Sequence, residues 1–226
     1  MITVITYLWG RKYRPIHVQI LAASVARWLS LPHRFVCVTE LAVDGVKTMR
    51  NPAPQYPARC YRRLWLFSNE ARSLGERILH LDLDVVICGP LDGLLARAGD
   101  LVIYRAGSIA ARGYSLNPSV LSLTPGTQTD LWDRYRRDPV TLGAAANADG
   151  FWGSDQAVIG YLRRDAAVET FGDADGVVSF RRMRRERLAA PPPGTCIVSF
   201  HGRRTPFEKE LQHEHPWIRA AWREAA

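Results

Sequence analysis

Short apolar runs alternate along most of the chain with longer segments whose apolar residues recur at helical spacing. Ile2 to Tyr7 reads as a strand, Pro15 opens a helix running to Trp28, and Arg34 to Thr39 is the next strand. The first helix carries Ile16, Ile20, Leu21, Val25 and Trp28 along one side. A proline-rich loop, Asn51 to Pro57, then precedes a helix expected over Ala58 to Leu74, which delivers the chain into ILHLDLDVVI, starting at Ile78. Strands are expected at Leu101 to Tyr104, Ser119 to Leu123, Val177 to Phe180 and Cys196 to Phe200. Helices are expected at Gln128 to Arg136, at Asp155 to Arg164, and from Pro216 onward, the last carrying Trp217, Ile218 and Trp222. This alternation predicts an α/β fold whose central sheet is mostly parallel and flanked by helices. No repeat or long linker divides the chain, and the Pro191 to Pro193 run reads as a loop before a strand, so one domain over 1–226 is expected.

Composition changes this picture little, but charge does. The chain has 226 residues, 47% of them hydrophobic, enough for a substantial core. Its net charge of +8 is carried almost wholly by arginine, the lysines being Lys12, Lys47 and Lys209, and such an excess suits polyanionic or phosphorylated partners. Part of it is concentrated in SFRRMRRERL, with Arg181, Arg182, Arg184 and Arg185. That run reads either as a solvated face or as a surface that tracks phosphates. The four cysteines lack metal-ligand spacing and read as buried free thiols, in keeping with a reducing cytoplasm. MITVITYLWGRKY lacks a basic segment before its apolar run and reads as a first strand, not a signal peptide. No stretch approaches the roughly 20 apolar residues of a membrane span.

The candidate chemistry lies in the acids of the Ile78 strand. Asp82 and Asp84, two apart on a strand, would project together with Cα atoms roughly 6.5–7 Å apart. Like charges so placed raise each other's pKa unless a cation joins them. A divalent ion with oxygen ligands, Mn²⁺ or Mg²⁺, is one answer, and it would in turn hold a diphosphate. The plainer alternative is that one Asp caps a turn while the other pairs with a neighbouring Arg.

In the context RILHLDLDVVICGPLDGLL, with a helix cap expected at Asp92, the pair resembles the metal-binding motif of GT-A fold glycosyltransferases, most closely those of family eight. YRRLWLF resembles the segment whose Arg contacts the sugar nucleotide, which places Arg63 there. YSLNPSVLSLTPG resembles a strand near the donor sugar, which implies Asn117 and Ser119, although it lacks the family's Gly. FWGSDQAVIGYL resembles the segment with an Asp–Gln pair, here Asp155 and Gln156. FHGRRTPFE resembles the closing motif, which makes His201 the third metal ligand and puts Gly202 at the donor. Thr205 stands where the family has Lys, so Arg203 or Arg204 would contact the diphosphate.

The resemblance implies a single GT-A-like, Rossmann-like domain, with 1–105 binding the nucleotide sugar and 106–226 forming the acceptor side. It implies metal-dependent transfer of a hexose from a UDP-sugar, with retention of anomeric configuration. The metal ligands are Asp82, Asp84 and His201, and Arg63 and Arg203 or Arg204 assist the leaving diphosphate. Gln156 would lie beneath the anomeric carbon and Asp155 would bind the donor sugar. Thr6, Tyr7 and Tyr13, at the end of the first strand, are placed where related enzymes hold uridine. The plain reading of Ser154-Asp155-Gln156 is a helix start capped by Ser154.

With the arginine run Arg181, Arg182, Arg184 and Arg185 beside the cleft, an acceptor on DNA such as a hydroxymethylated base is one expectation, and a glycan or lipid-linked sugar is the other. A nucleotidyl- or phosphotransferase would also use paired acids and a metal, but no phosphate-cradling Gly-rich loop is present. A plain DNA-binding module would explain the arginines and leave Asp82, Asp84 and His201 without a role.

Overall fold

The computed structural model describes residues 1–56, 59–106, 116–201 and 204–223. Gly202, Arg203, Pro57, Ala58 and Tyr114, singled out above, lie outside the described residues. The chain opens with β1 (Ile2–Tyr7), α1 (Pro15–Trp28), β2 (His33–Val38) and β3 (Lys47–Met49). Pro15 begins α1 because Arg14 before it is extended, the conformation that a following proline imposes, and the ring occupies a turn that needs no N–H. Next come β4 (Arg77–Leu81), β5 (Val85–Ile87), α2 (Asp92–Leu95), β6 (Leu101–Arg105) and β7 (Leu116–Leu123). The remainder is α3 (Thr129–Arg137), α4 (Pro139–Ala148), α5 (Asp155–Leu162), β8 (Glu169–Phe171), β9 (Val177–Ser179), α6 (Phe180–Arg185), β10 (Ile197–Ser199), α7 (Lys209–Glu214) and α8 (Trp217–Arg223).

Seven strands form a central sheet in the order β3-β2-β1-β4-β7-β6-β8, and β5, β10 and β9 form a second, three-stranded sheet. In the central sheet β3, β2, β1 and β4 run parallel, β7 is antiparallel to both its neighbours, and β8 is again parallel to β6. Alternate residues feed opposite faces. Val4, Leu79 and Val102 pack on the side of Val18, Leu21 and Val25, while Ile5, Ile78 and Ile103 pack on the side of Leu66, Phe67 and Tyr135. Both faces are therefore covered, which is why these strands read as apolar throughout. A third cluster, with Val86, Val178, Phe180, Val198 and Phe200, joins the small sheet to α7 and α8. Among the described residues no helix is long and apolar enough to cross a membrane, and all four cysteines are free.

Four expectations are corrected. ILHLDLDVVI is not one strand: β4 ends at Leu81, β5 begins at Val85, and the acids occupy the turn between them. The helix expected over Ala58 to Leu74 is two stretches of 3-10 helix, Arg59–Phe67 and Glu70–Leu74. Five consecutive residues, Arg63 to Phe67, are buried there, and a single α-helical stripe does not bury five in a row. In α1 the buried side is His17, Val18, Leu21, Ser24 and Val25, and Ile16 is exposed. His17 stacks on Phe207 with ring centroids 3.7 Å apart, which turns the helix off the stripe expected from its aliphatic residues. Asp92 is the first residue of α2, and its carboxylate accepts from Ser30 Oγ at 2.6 Å and from the Leu31 amide at 3.2 Å, so it ties two loops together instead of capping.

Candidate active site

The acids sit where the chain passes from one sheet to the other. The Asp82 amide donates to Ser119 O at 2.9 Å, which extends the β4–β7 ladder by one bond, and the Val85 amide donates back to Asp82 O at 3.3 Å to close the turn. The Phe200 amide donates to Asp84 O at 3.1 Å, so the second ladder starts at Asp84 and brings His201 alongside. Ser119 Oγ and Ser199 Oγ, 2.9 Å apart and buried, join the two ladders. Both acids are thus fixed through their own backbone at the seam between the sheets.

Arg63 is the buried cation of this seam. It pairs with Asp82 through Nη1, its Nε lies 2.6 Å from Asp155 Oδ2, and its Nη2 donates to Asp155 Oδ1 at 3.0 Å. Asp155, the first residue of α5, is 1% exposed and accepts a further bond from Ser154 Oγ at 3.0 Å. The Ser154 hydroxyl therefore serves the carboxylate and makes no cap on the helix. Burial pushes the Asp155 carboxyl up against the pull of Arg63, while Asp155 and Asp82 outweigh burial to hold the Arg63 guanidinium well above its usual pKa.

Asp84 is served differently. The Tyr13 hydroxyl donates to its Oδ2 at 2.7 Å, and Lys12 Nζ lies 3.6 Å from the same oxygen. Its carboxyl is raised to about 6, by burial and then by the charge of Asp82, with Tyr13 and Lys12 pulling the other way. Three carboxylates, Asp82, Asp84 and Asp155, thus face two cations, Arg63 and Lys12, and Lys12 is half exposed. Oδ2 of Asp82 and Oδ1 of Asp84 have no hydrogen-bond partner among the described residues. Among the described residues the site is one positive charge short, and two carboxylate oxygens are left over.

His201 Nε2 is 2.7 Å from Ser179 Oγ, and burial together with Arg181 lowers its pKa to about 4. Among the described residues no group of three or more His, Cys, Asp or Glu side chains is gathered closely enough to hold a metal ion. The fit to a divalent ion rests on the two acids alone: His201, expected as the third ligand, is not gathered with them, and its Nε2 is engaged by Ser179.

The remaining expected residues divide. Tyr13 turns its hydroxyl to Asp84 and its ring edge to His17 and Phe207. Thr6 and Tyr7 are buried, their hydroxyls have no partner among the described residues, and burial raises the Tyr7 phenol, with Arg63 and Asp155 near it. Asn117 Oδ1 accepts from the Ser119 amide at 2.9 Å, which shapes the strand beside Asp82. Gln156 Nε2 donates to Trp152 O at 3.2 Å, and Trp152 itself is 74% exposed. Arg204 pairs with Glu208 at 3.1 Å. Arg182 pairs with Asp173 and Glu186, and Arg185 lies 3.6 Å from Glu186, while Arg181 and Arg184 are exposed on α6.

Sequence reasoning missed two members. His80 is fully buried, its Nδ1 is 2.7 Å from Pro118 O, and its Nε2 is 3.7 Å from Asp82 Oδ1. Its place two residues before Asp82 in HLDLD was the available signal. Lys12, in the loop before α1, left no such signal.

No family model and no curated protein matches the sequence. The fold is similar to solved glycosyltransferase structures. It superposes on the galactosyltransferase LgtC in complex with donor and acceptor sugar analogues with a TM-score of 0.67 and 14% identity, over 99% of this chain and 96% of that one. An active-site glutamine-to-glutamate mutant of LgtC gives 0.65 and 15% identity, over 100% of both chains. The glycosyltransferase GlyE of Streptococcus pneumoniae TIGR4 gives 0.64 and 14% identity, and this chain spans 63% of its length. The chain has the GT-A fold.

Proposed function

We propose that this protein is a metal-dependent glycosyltransferase that moves a hexose from a nucleotide sugar, with UDP as the carrier, to an acceptor hydroxyl with retention. The observation that carries this reading is the excess of carboxylate over cation at the seam between the sheets, in a fold shared with LgtC. Asp82 and Asp84 would hold Mn²⁺ or Mg²⁺, with His201 the adjacent imidazole, and the ion when bound supplies Lewis acidity to the diphosphate. Residues 1–105 would then bind the donor and 106–226 the acceptor.

The acceptor oxygen bonds to the anomeric carbon, the bond from that carbon to phosphate breaks, and the diphosphate leaves with the electron pair. The hydroxyl proton passes to a diphosphate oxygen. Arg63, locked by Asp82 and Asp155, is a positioning residue: it holds Asp155 in place for the donor sugar and Asp82 at the turn. Gln156, one residue further along α5, is placed by the same constraint, and the active-site glutamine of LgtC supports giving it a role beside the anomeric carbon. Tyr13 steadies the Asp84 carboxylate.

The test is release of nucleoside diphosphate from a panel of sugar nucleotides with Mn²⁺, for the wild type and for Asp84→Asn. Mn²⁺-dependent release that Asp84→Asn abolishes is expected. Equal turnover in EDTA contradicts the reading, and release of pyrophosphate would mark a nucleotidyltransferase instead.

A further inference from the structure

Beside His201 lies a second charged concavity with no part in the donor chemistry. It encloses about 490 Å³ where the ends of β6 and β8 meet the start of α6, and Tyr104, Thr170, Asp173, Arg181, Arg182 and Arg185 line it. Ser179 lines it as well, and its Oγ is the atom 2.7 Å from His201 Nε2. His201 in turn follows Phe200, whose amide binds Asp84 O, so two hydrogen bonds connect this cavity to the acid turn. A molecule held here is therefore separated from His201 by the Ser179 side chain alone.

The lining chemistry selects the molecule. Three arginines of α6 line it, with Asp173 the lining carboxylate and Glu186 engaging Arg182 and Arg185 from outside. Asp173 is already paired with Arg182, whereas Arg181 has no ion-pair or hydrogen-bond partner among the described residues. An unpaired Arg181 in a cluster whose three α6 arginines outnumber the two acids engaging them suits the two charges and three oxygens of a phosphate monoester. Neutral hydroxyls of Tyr104 and Thr170 stand beside them to meet sugar hydroxyls.

Size and pairing argue against an extended polyanion. A cavity of this volume is that of a small-molecule site. A phosphate-tracking stripe needs several unengaged cations in a row, but Arg182 and Arg185 are turned to Asp173 and Glu186, and Arg184 does not line the cavity. We propose that this cavity is the acceptor subsite and that the acceptor is a phosphorylated sugar, its phosphate seated on Arg181. The inference rests on the glycosyl-transfer reading, which supplies the donor on the other side of His201.

The test is isothermal titration of the full chain with a panel of hexose and N-acetylhexosamine 6-phosphates, the parent sugars, inorganic phosphate and a 20-base-pair DNA duplex. The chains compared are wild type, Arg181→Gln, and Arg137→Gln as a loss of equal charge on α3. Because Arg181 is exposed and unpaired, Arg181→Gln keeps the wild-type melting temperature. At least one sugar phosphate is expected to bind tenfold or more tightly than its parent sugar and than inorganic phosphate, with a tenfold loss in Arg181→Gln and less than twofold in Arg137→Gln. Equal binding of parent sugars or of inorganic phosphate overturns the proposal, as does an equal loss in Arg137→Gln. Arg181-dependent binding of the duplex without any sugar phosphate overturns it in favour of a nucleic-acid acceptor.

Nucleotide-sugar turnover, measured separately, distinguishes the two readings. Sugar-phosphate binding through Arg181 without donor turnover overturns the acceptor role and the transfer reading together, leaving a phosphate-binding protein. Donor turnover with no preference for phosphorylated sugars overturns this proposal alone.

Discussion

Replacing Arg63 by Met removes a guanidinium that is 7% exposed and leaves Asp155, 1% exposed, with only the Ser154 hydroxyl. Truncating one partner of a buried ion pair typically costs about 3–5 kcal/mol, because the remaining charge is stranded away from water. For a chain of 226 residues that corresponds to a fall of about 6–20 °C in melting temperature, at ~2–4 °C per kcal/mol. The sign of the pH dependence follows from the same geometry. Burial already raises the Asp155 carboxyl and Arg63 is what opposes it, so without Arg63 the carboxyl rises further and takes up a proton in the fold at a pH where the unfolded chain stays ionised. Stability of Arg63→Met therefore falls as pH rises, by about 1.4 kcal/mol per pH unit between the ordinary carboxylate range and the raised pKa. The defect is largest at pH 8 and smallest near pH 5.

Urea denaturation in EDTA at these two pH values, on Arg63→Met, Asp155→Asn and the double variant, closes a double-mutant cycle. The double variant should recover most of the loss, with a coupling of at least about 2 kcal/mol, since a buried pair replaced as a whole costs little. Additivity within about 0.5 kcal/mol would refute the claim that Arg63 exists at this position to hold Asp155.

Asp84→Asn should stabilise the metal-free protein at pH 8 by about 1–3 kcal/mol, because a carboxyl raised to about 6 is ionised there against burial and against Asp82, and the gain should vanish at pH 4. Denaturation in EDTA measures it, and a less stable variant at pH 8 would contradict the charge imbalance. His80, His17 and His201 are each lowered to about 4, chiefly by burial, so between pH 6.5 and 4 the unfolded chain binds protons that the fold refuses and stability drops as the solution is acidified. His80→Gln should flatten that slope by about 1.4 kcal/mol per pH unit near pH 5, and an unchanged slope would show that His80 is not held neutral. Gly176→Ala should cost about 2–4 kcal/mol, since φ is +77° and the added carbon would stand 2.6 Å from Gly194 O and 3.0 Å from Cys196 N. Calorimetry checks it, and a loss under 1 kcal/mol would show that the β9–β10 connection yields easily.

The β1-α1-β2 opening was legible because Pro15 marks a helix start and the strands on either side are short apolar runs. The acid pair was legible as a chemical anomaly, but its backbone was not. Period-two reasoning carries a strand through Asp82 and Asp84, whereas β4 stops at Leu81 because β5 takes its partner from β10, more than a hundred residues later. Sheet exchange of that kind is decided by long-range pairing, which no local pattern reports. The α4 helix was missed for the opposite reason. Of Pro139–Ala148 only Ala146 is buried, so no apolar stripe marks it, yet Asp138 accepting from the Thr141 amide at 3.0 Å and Pro139 at the first turn were readable signals.

The sheet exchange also bears on the two ways of explaining the acids. A salt bridge serving stability alone would match charges, and the Arg63–Asp155 contact does that without help from the turn. Asp82 adds a second carboxylate to the same guanidinium, and Asp84 adds a third whose ionisation the fold resists at neutral pH. Backbone bonds to Ser119 O and from the Phe200 amide hold the two main chains to different sheets, so the acids stay neighbours. Like charges held together in this way add nothing to the stability of the fold, and that is the strain the proposed cation would remove. The arginine cavity on the far side of His201 shows the opposite imbalance, three α6 arginines against the two acids that engage them. Two sites of opposite charge excess, joined through Ser179 and His201, are the arrangement expected of a protein that holds a metal-bound diphosphate on one side and a phosphorylated acceptor on the other.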